Sequence, residues 1–91
     1  MRFEWDEEKR RSNLEKHGLD FKNAQYAFTI EADIGPDNRH SEPRRLLMGP
    51  LFGRLVVIAF TMRGETVRVI SMRKANRREQ QAYFKRRTER S

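Results

Sequence analysis

The sequence predicts an α+β domain: N-terminal helices packed on a small, mainly antiparallel sheet of about four strands, closed by a C-terminal helix. Three observations carry this. Helix start and stop signals fall near the two ends of the chain. Between them, four apolar or alternating runs (30–34, 44–51, 55–61 and 66–73) are separated by Gly- and Pro-containing turns. These four runs follow one another without intervening helices, as in an α+β rather than an alternating α/β architecture.

The elements follow in order. Phe3-Glu4-Trp5 alternates like a short strand. Asp6 is a natural N-cap, with Glu7 and Glu8 suited to the positive end of a helix dipole. That helix is expected to end at His17, with Gly18 as a left-handed terminator. Its apolar content is essentially Leu14, so it must dock through its ends and a polar stripe. Asp20 caps a second helix whose Phe21, Ala24, Ala27 and Phe28 form a core face.

Ile30, Ala32 and Ile34 read as a half-buried strand, ended by a Gly35-Pro36-Asp37-Asn38 turn or loop running to Pro43. Arg44 to Leu51 is a second strand, with Pro50 demanding an edge or bulge. Leu55 to Thr61 is apolar on both faces, as a central strand requires. A turn at Arg63-Gly64-Glu65 leads into Thr66 to Arg73. There, alternation puts Val67, Val69, Ser71 and Arg73 on one face and Arg68, Ile70 and Met72 on the other. Asn76 and Glu79 form a capping-box pattern for a last helix over about 77–87.

At 91 residues, one domain spanning 1–91 is expected. The absence of cysteine excludes disulfides and thiolate chemistry and fits the cytosol. No apolar run opens the chain or approaches the ~20 residues of a membrane span, so a cytoplasmic protein is expected. The net charge is +7, and its placement is asymmetric. Residues 1–61 hold ten Lys/Arg and ten Asp/Glu, whereas residues 62–91 hold ten Lys/Arg and three Asp/Glu. A cationic third on a neutral base points to a polyanionic ligand, RNA before an acidic protein. Lys74, Arg77, Arg78, Lys85 and Arg86 are the expected backbone-holding residues. Glu31, Asp33, Asp37, His40 and Glu42 match no standard metal spacing, so neither metal nor cofactor is expected.

Several segments together resemble the BrnT toxin family. They are Phe3-x-Trp5-Asp6-x-x-Lys9-x-x-x-Asn13-x-x-Lys16-His17-Gly18, with Phe21 and Ala24; Glu42-x-Arg44, with Gly49 and Arg54; and Phe60-Thr61-x-Arg63-Gly64, Arg68-Val69-Ile70-Ser71-x-Arg73-x-Ala75, Glu79 and Tyr83. The resemblance spans nearly the whole chain. It implies a RelE-like fold and a metal-independent endoribonuclease toxin of a type II toxin-antitoxin system that inhibits translation. It also implies neutralisation by a BrnA-type ribbon-helix-helix antitoxin, plausibly in a heterotetramer. DNA would be met only through that antitoxin.

Metal-free RNA cleavage uses the ribose 2′-OH as nucleophile. The protein must move protons and stabilise a charged phosphorane-like transition state. His17 is the first proton-transfer candidate, on one stripe with Lys9 and Asn13; a histidine favoured by the helix C-terminus is the plainer explanation. Arg63 and Arg73 are the preferred phosphate ligands, over Arg68, which the alternation places on the other face. Glu79 and Tyr83 share a helix face and complete the candidate catalytic set, although capping and core packing explain them as simply.

The rival reading is a non-catalytic basic RNA- or ribosome-binding module, or a degenerate toxin that only binds its antitoxin. The edge strand and the apolar Leu51 and Phe52 are the candidate antitoxin contact.

Overall fold

A computed structural model describes residues 1–39 and 41–90. His40, part of the acidic stretch above, lies outside the described residues. The elements are β1 (Arg2–Glu4), α1 (Glu7–His17), a 3-10 helix η1 (Phe21–Ala27), β2 (Asp33–Asp37), β3 (Arg44–Leu51), β4 (Arg54–Arg63), β5 (Thr66–Lys74) and α2 (Arg77–Arg90). The strands form one five-stranded sheet in the order β1-β5-β4-β3-β2. β1 runs parallel to β5, and every other pairing is antiparallel. The α+β architecture is as expected, with β1 as a strand beyond the four runs of the central region.

The caps behave as their chemistry requires. The Asp6 carboxylate accepts from the Glu8 and Lys9 amides, and Gly18 ends α1 at φ 70°. Asp20 accepts from the Lys22 amide at the start of the second helix. That helix is 3-10 rather than α. Phe21, Ala24 and Ala27 recur every third residue, which aligns them on one side at three residues per turn. All three are fully buried.

Two expectations are corrected in the middle of the chain. The first sheet segment after η1 runs Asp33–Asp37, not Ile30–Ile34, and Ile30 stands 95% exposed. A turn held by the Ala32 amide on the Thr29 carbonyl delays the strand. Gly35-Pro36 then lies within β2, which tolerates proline because it is an edge strand. Pro50 follows the same rule: β2 pairs β3 only as far as Met48, so Pro50 has a neighbouring strand on one side alone.

The second correction concerns the faces of β5. Opposite β4, Ser71 pairs with Ala59 but Val69 pairs with Phe60, so Ile70 is an extra residue in the ladder. This bulge reverses the alternation. Val67, Val69 and Met72 all enter the core, while Arg68, Ser71 and Arg73 share the opposite face.

The core lies between one face of the sheet and the α1–η1 layer. Phe21, Leu47, Val56, Ile58, Val67, Val69 and Met72 are its fully buried centre. Phe28 bridges Phe3 and Phe60 edge to face, at centroid distances of 5.2 and 5.1 Å. Burying such side chains contributes about 1.5–3 kcal/mol each, which is how so polar a chain sustains a fold.

Candidate active site

The strand register builds one feature above all. On the face away from the core, Arg63 and Thr61 of β4 stand opposite Thr66 and Arg68 of β5, and Val57 stands opposite Arg73. Leu46 of β3 is opposite Ala59, which places Arg44, two residues earlier, on the same face. Arg44, Arg63, Arg68 and Arg73 therefore project from a single side of the sheet, around the small residues Ala59, Thr61 and Ser71. Each carries a carboxylate partner. Arg44 pairs with Glu42. Arg63 and Arg68 share Glu4 Oε2, at 3.4 and 2.6 Å. Arg73 holds Glu79 through two bonds of 2.7 and 2.8 Å.

The face has two ends. Arg63 and the partner position of Arg73 are six residue steps apart on β4, about 20 Å at ~3.3 Å per residue. Arg63 and Arg73 thus share a face but cannot grip one phosphate. Arg68 is the arginine beside Arg63, through Glu4, which reverses the preference drawn from simple alternation. The apolar spacing of Val67, Val69 and Met72, two then three, was the signal of the bulge.

Arg73 and Glu79 form a tight unit. Glu79 Oε1 also accepts from the Asn76 amide at 2.8 Å, and Asn76 Oδ1 accepts from the Glu79 amide at 2.8 Å, so the capping box forms. The Arg73 guanidinium, then the Asn76 amide, hold the Glu79 carboxyl below its usual range against the opposing effect of burial. The Glu79 carboxylate in turn raises Arg73. A carboxylate so occupied is a weak base, and its geometry is explained by capping. Tyr83 is buried, and its hydroxyl donates to the Glu31 carbonyl at 2.7 Å. That contact ties α2 to the chain entering β2.

His17 stands at the last turn of α1, half-buried, with no hydrogen-bond partner for its imidazole among the described residues. It lines an open depression of about 550 Å³ with Lys9, Lys16, Asn13, Ile70 and Ser71. Ser71 belongs to both features, since it lines this depression and stands across from Ala59 on the arginine face. Asn13, one helical turn before His17, bonds Met72, the neighbour of Arg73. The His17 depression therefore adjoins the Arg73 end of the face.

Of the expected RNA-holding residues, Lys74, Arg77, Arg78 and Lys85 are exposed. Arg86 instead pairs with Asp33 at 3.0 Å, beside Arg87, and clasps α2 to β2. Asp37 is buried and accepts from Arg39. The acidic stretch thus serves ion pairing at Asp33, Asp37 and Glu42.

Comparison with known proteins supplies the class. The family model described as the ribonuclease toxin, BrnT, of type II toxin-antitoxin systems matches residues 5–79. The crystal structure of the Brucella abortus ribonuclease toxin BrnT superposes with a TM-score of 0.73 at 35% identity. The match covers 85% of this chain and 99% of that one. No functionally curated protein matches. By class, then, this is a ribonuclease toxin of a type II toxin-antitoxin system. Within that class, the chain belongs to the BrnT family.

Proposed function

We propose that this chain is a metal-independent endoribonuclease that binds RNA across the arginine face, cleaves it through the ribose 2′-OH and so inhibits translation. The observation that carries the proposal is the projection of Arg44, Arg63, Arg68 and Arg73 from one side of the sheet. Arginine offers a planar donor fork matched to phosphate and keeps its charge at every working pH. The carboxylates now paired with these side chains are exchangeable for phosphate oxygens. Lys74, Arg77, Arg78 and Lys85 extend the positive surface and hold the RNA backbone without choosing sequence.

The catalytic end is the Arg73 end of the face, beside which the His17 depression opens at Ser71. His17 moves the proton of the 2′-OH or of the leaving 5′-oxygen, and Arg73 stabilises the charge that develops at phosphorus. Glu79 positions Arg73, and Tyr83 fixes α2 behind it. The protein acts in the cytoplasm. Among the described residues, no helix is long and apolar enough to cross a membrane. A BrnA-type ribbon-helix-helix antitoxin neutralises it.

A second reading draws support from the ion pairs themselves. Each arginine of the face already has a carboxylate partner, as in a non-catalytic RNA-binding module or a degenerate toxin.

The test is incubation of the purified chain with total RNA, with and without EDTA, beside His17→Ala. Cleavage that persists in EDTA and falls in the variant is expected. RNA left intact in every lane decides for the binding module.

A further inference from the structure

A pocket of about 600 Å³ opens at the Arg73 end of the sheet, between α2 and the β3–β4 turn. That volume falls within the ~300–1,000 Å³ range of small-molecule sites. Pro50, Leu55 and Ala75 supply its apolar lining, and Tyr83 and Phe84 its rings. The two rings differ. Tyr83 is buried and held on three sides. Its hydroxyl bonds the Glu31 carbonyl, the Arg87 guanidinium lies 5.0 Å over its ring, and Phe84 meets it edge to face at 5.4 Å. Phe84 is 57% exposed. Its aromatic contact among the described residues is T-shaped, at 82°, so at least one face of its ring stays open. Phe84 is thus a ring set against a fixed neighbour and shown to solvent.

The polar lining divides by charge. Arg54 and Lys74 are exposed cations without an ion-pair partner among the described residues. Gln80 donates its Nε2 to the Ala75 carbonyl at 2.9 Å, which leaves Oε1 as an acceptor. Glu31 is exposed, and its carboxylate also has no partner among the described residues. A phosphate suits the cations but not Glu31. A nucleobase suits the rest, with its π-face on an open ring and its amino groups on acceptors.

The pocket also continues the arginine face. Val57 stands opposite Arg73. Leu55, two residues earlier on β4, lies on the same side, and its carbonyl accepts from the Ala75 amide at 3.0 Å. Leu55 is therefore roughly 7 Å beyond the Arg73 pair, at ~3.3 Å per residue. That is a step on the scale of a single nucleotide in an extended strand.

We infer that this pocket takes one unstacked base of the RNA, beside the phosphate held at Arg73. The base stacks on Phe84, its edge meets Gln80 and Glu31, and Arg54 and Lys74 hold its flanking phosphates. The inference rests on the RNA-binding reading and adds a base contact to a surface that otherwise grips backbone. It makes the chain a reader of single strands, because a base paired and stacked in a duplex cannot enter. Two observations favour RNA over a protein segment. The pocket adjoins Arg73. Its lining also asks for negative charge at Arg54 and Lys74 and for a neutral, flat group between Phe84 and Glu31, and a nucleotide brings both in one unit.

The experiment is an anisotropy titration of parent, Phe84→Ala and Phe84→Trp with two strands. One is a mixed-sequence single-stranded RNA carrying 2′-O-methyl groups, which removes the 2′-OH nucleophile. The other is the same backbone without bases. Phe84→Ala is expected to bind the base-bearing strand about tenfold less tightly, the usual effect of removing a stacked ring, and the base-free strand as the parent does. Phe84→Trp is expected to keep the parent affinity for both. The salt slope should be unchanged in Phe84→Ala, where no phosphate contact is lost, and flatter by about 0.7 in Arg54→Ala. Affinity of Phe84→Ala for the base-bearing strand within twofold of the parent would overturn the base pocket and leave the RNA reading standing. Equal losses on the two strands, or an equal loss in Phe84→Trp, would also overturn it, by marking Phe84 as a packing residue of α2. Unchanged RNA affinity with lost affinity for the purified antitoxin would move the pocket to the protein partner. A parent chain that binds no RNA, modified or unmodified, would overturn both the pocket and the reading beneath it.

Discussion

The side-chain amide of Asn13 pairs with the backbone of Met72 as a strand would. Its Nδ2 donates to the Met72 carbonyl at 3.0 Å, and its Oδ1 accepts from the Met72 amide at 3.1 Å. Nδ2 also donates to the Leu19 carbonyl at 3.1 Å. β1 pairs β5 only at 66–68, so beyond that point the outer edge of β5 has no strand beside it. Asn13 satisfies that edge and pins α1, a helix with little apolar surface, to the sheet. Asn13→Ala leaves these buried groups unpaired and is expected to cost about 2–3 kcal/mol. Urea unfolding measures it. Asn13→Asp is expected to be as harmful, since it keeps the acceptor for the Met72 amide but sets a carboxylate against two carbonyls. A loss below about 0.5 kcal/mol in Asn13→Ala would show that α1 is held elsewhere.

This docking explains what was legible in the sequence and what was not. The caps of α1, the capping box of α2, the strands β3 to β5 and the Pro50 edge each followed from local chemistry. Lys9, Asn13 and His17 stood out as one polar stripe, but which member held the sheet depended on a partner 59 residues away. Pairing of β1 with β5 is likewise non-local. The faces of β5 were misassigned because strict alternation takes no account of an inserted residue at Ile70. That single step moved Arg68 onto the side of Arg73 and turned scattered cations into a common face. The late start of β2 escaped because Gly-Pro reads as a turn unless the strand is known to lie at an edge.

The Glu79 carboxyl gives the fold a defined response to acid. Its folded-state pKa is lowered, first by the Arg73 bonds. A lowered carboxyl contributes stability that is complete above its unfolded value, ~4.3, and is lost as pH falls through the folded one. The parent is therefore expected to lose stability progressively below about pH 5 relative to Glu79→Gln, whose amide does not titrate. At neutral pH, Glu79→Ala loses both the cap and the ion pair, at an expected cost of about 1–2 kcal/mol. Parallel acid titrations of melting temperature for the three proteins check this. Identical pH profiles for the parent and Glu79→Gln would mean that the Arg73 contact is fully screened by solvent.

The exposed cations after β5 are expected to set the salt dependence of RNA binding. Each phosphate neutralised on a single strand contributes a slope of roughly −0.7 in log K against log salt. Replacing Lys74, Arg77 and Arg78 together by alanine is expected to flatten the slope by about 2. Binding should weaken similarly for unrelated RNA sequences, because backbone contacts carry no base information. Filter binding over a salt series measures both. A slope unchanged by the triple substitution would place the RNA wholly on the arginine face.

Arg63 and Arg73 allow the two ends of that face to be told apart. With about 20 Å between them, only one can lie at the scissile phosphate, while the other holds a neighbouring stretch of the chain. The His17 depression opens at Ser71, and Asn13 beside it bonds Met72, the neighbour of Arg73, so Arg73 is the one expected at the reacting phosphorus. Arg73→Ala should lower the single-turnover cleavage rate about 10²–10³-fold, the usual effect of removing a transition-state donor. Arg73→Lys should recover little, because an ammonium cannot reproduce the two-point fork. Arg63→Ala should instead weaken RNA binding while leaving the rate at saturating RNA within a few-fold. Glu4→Gln, which frees both Arg63 and Arg68, should tighten binding without changing that rate. The reverse pattern, with the rate collapsing in Arg63→Ala and intact in Arg73→Ala, would move the reacting centre to the Glu4 end. Arg68 would then be the second phosphate ligand, and His17 would be a structural histidine at the end of its helix.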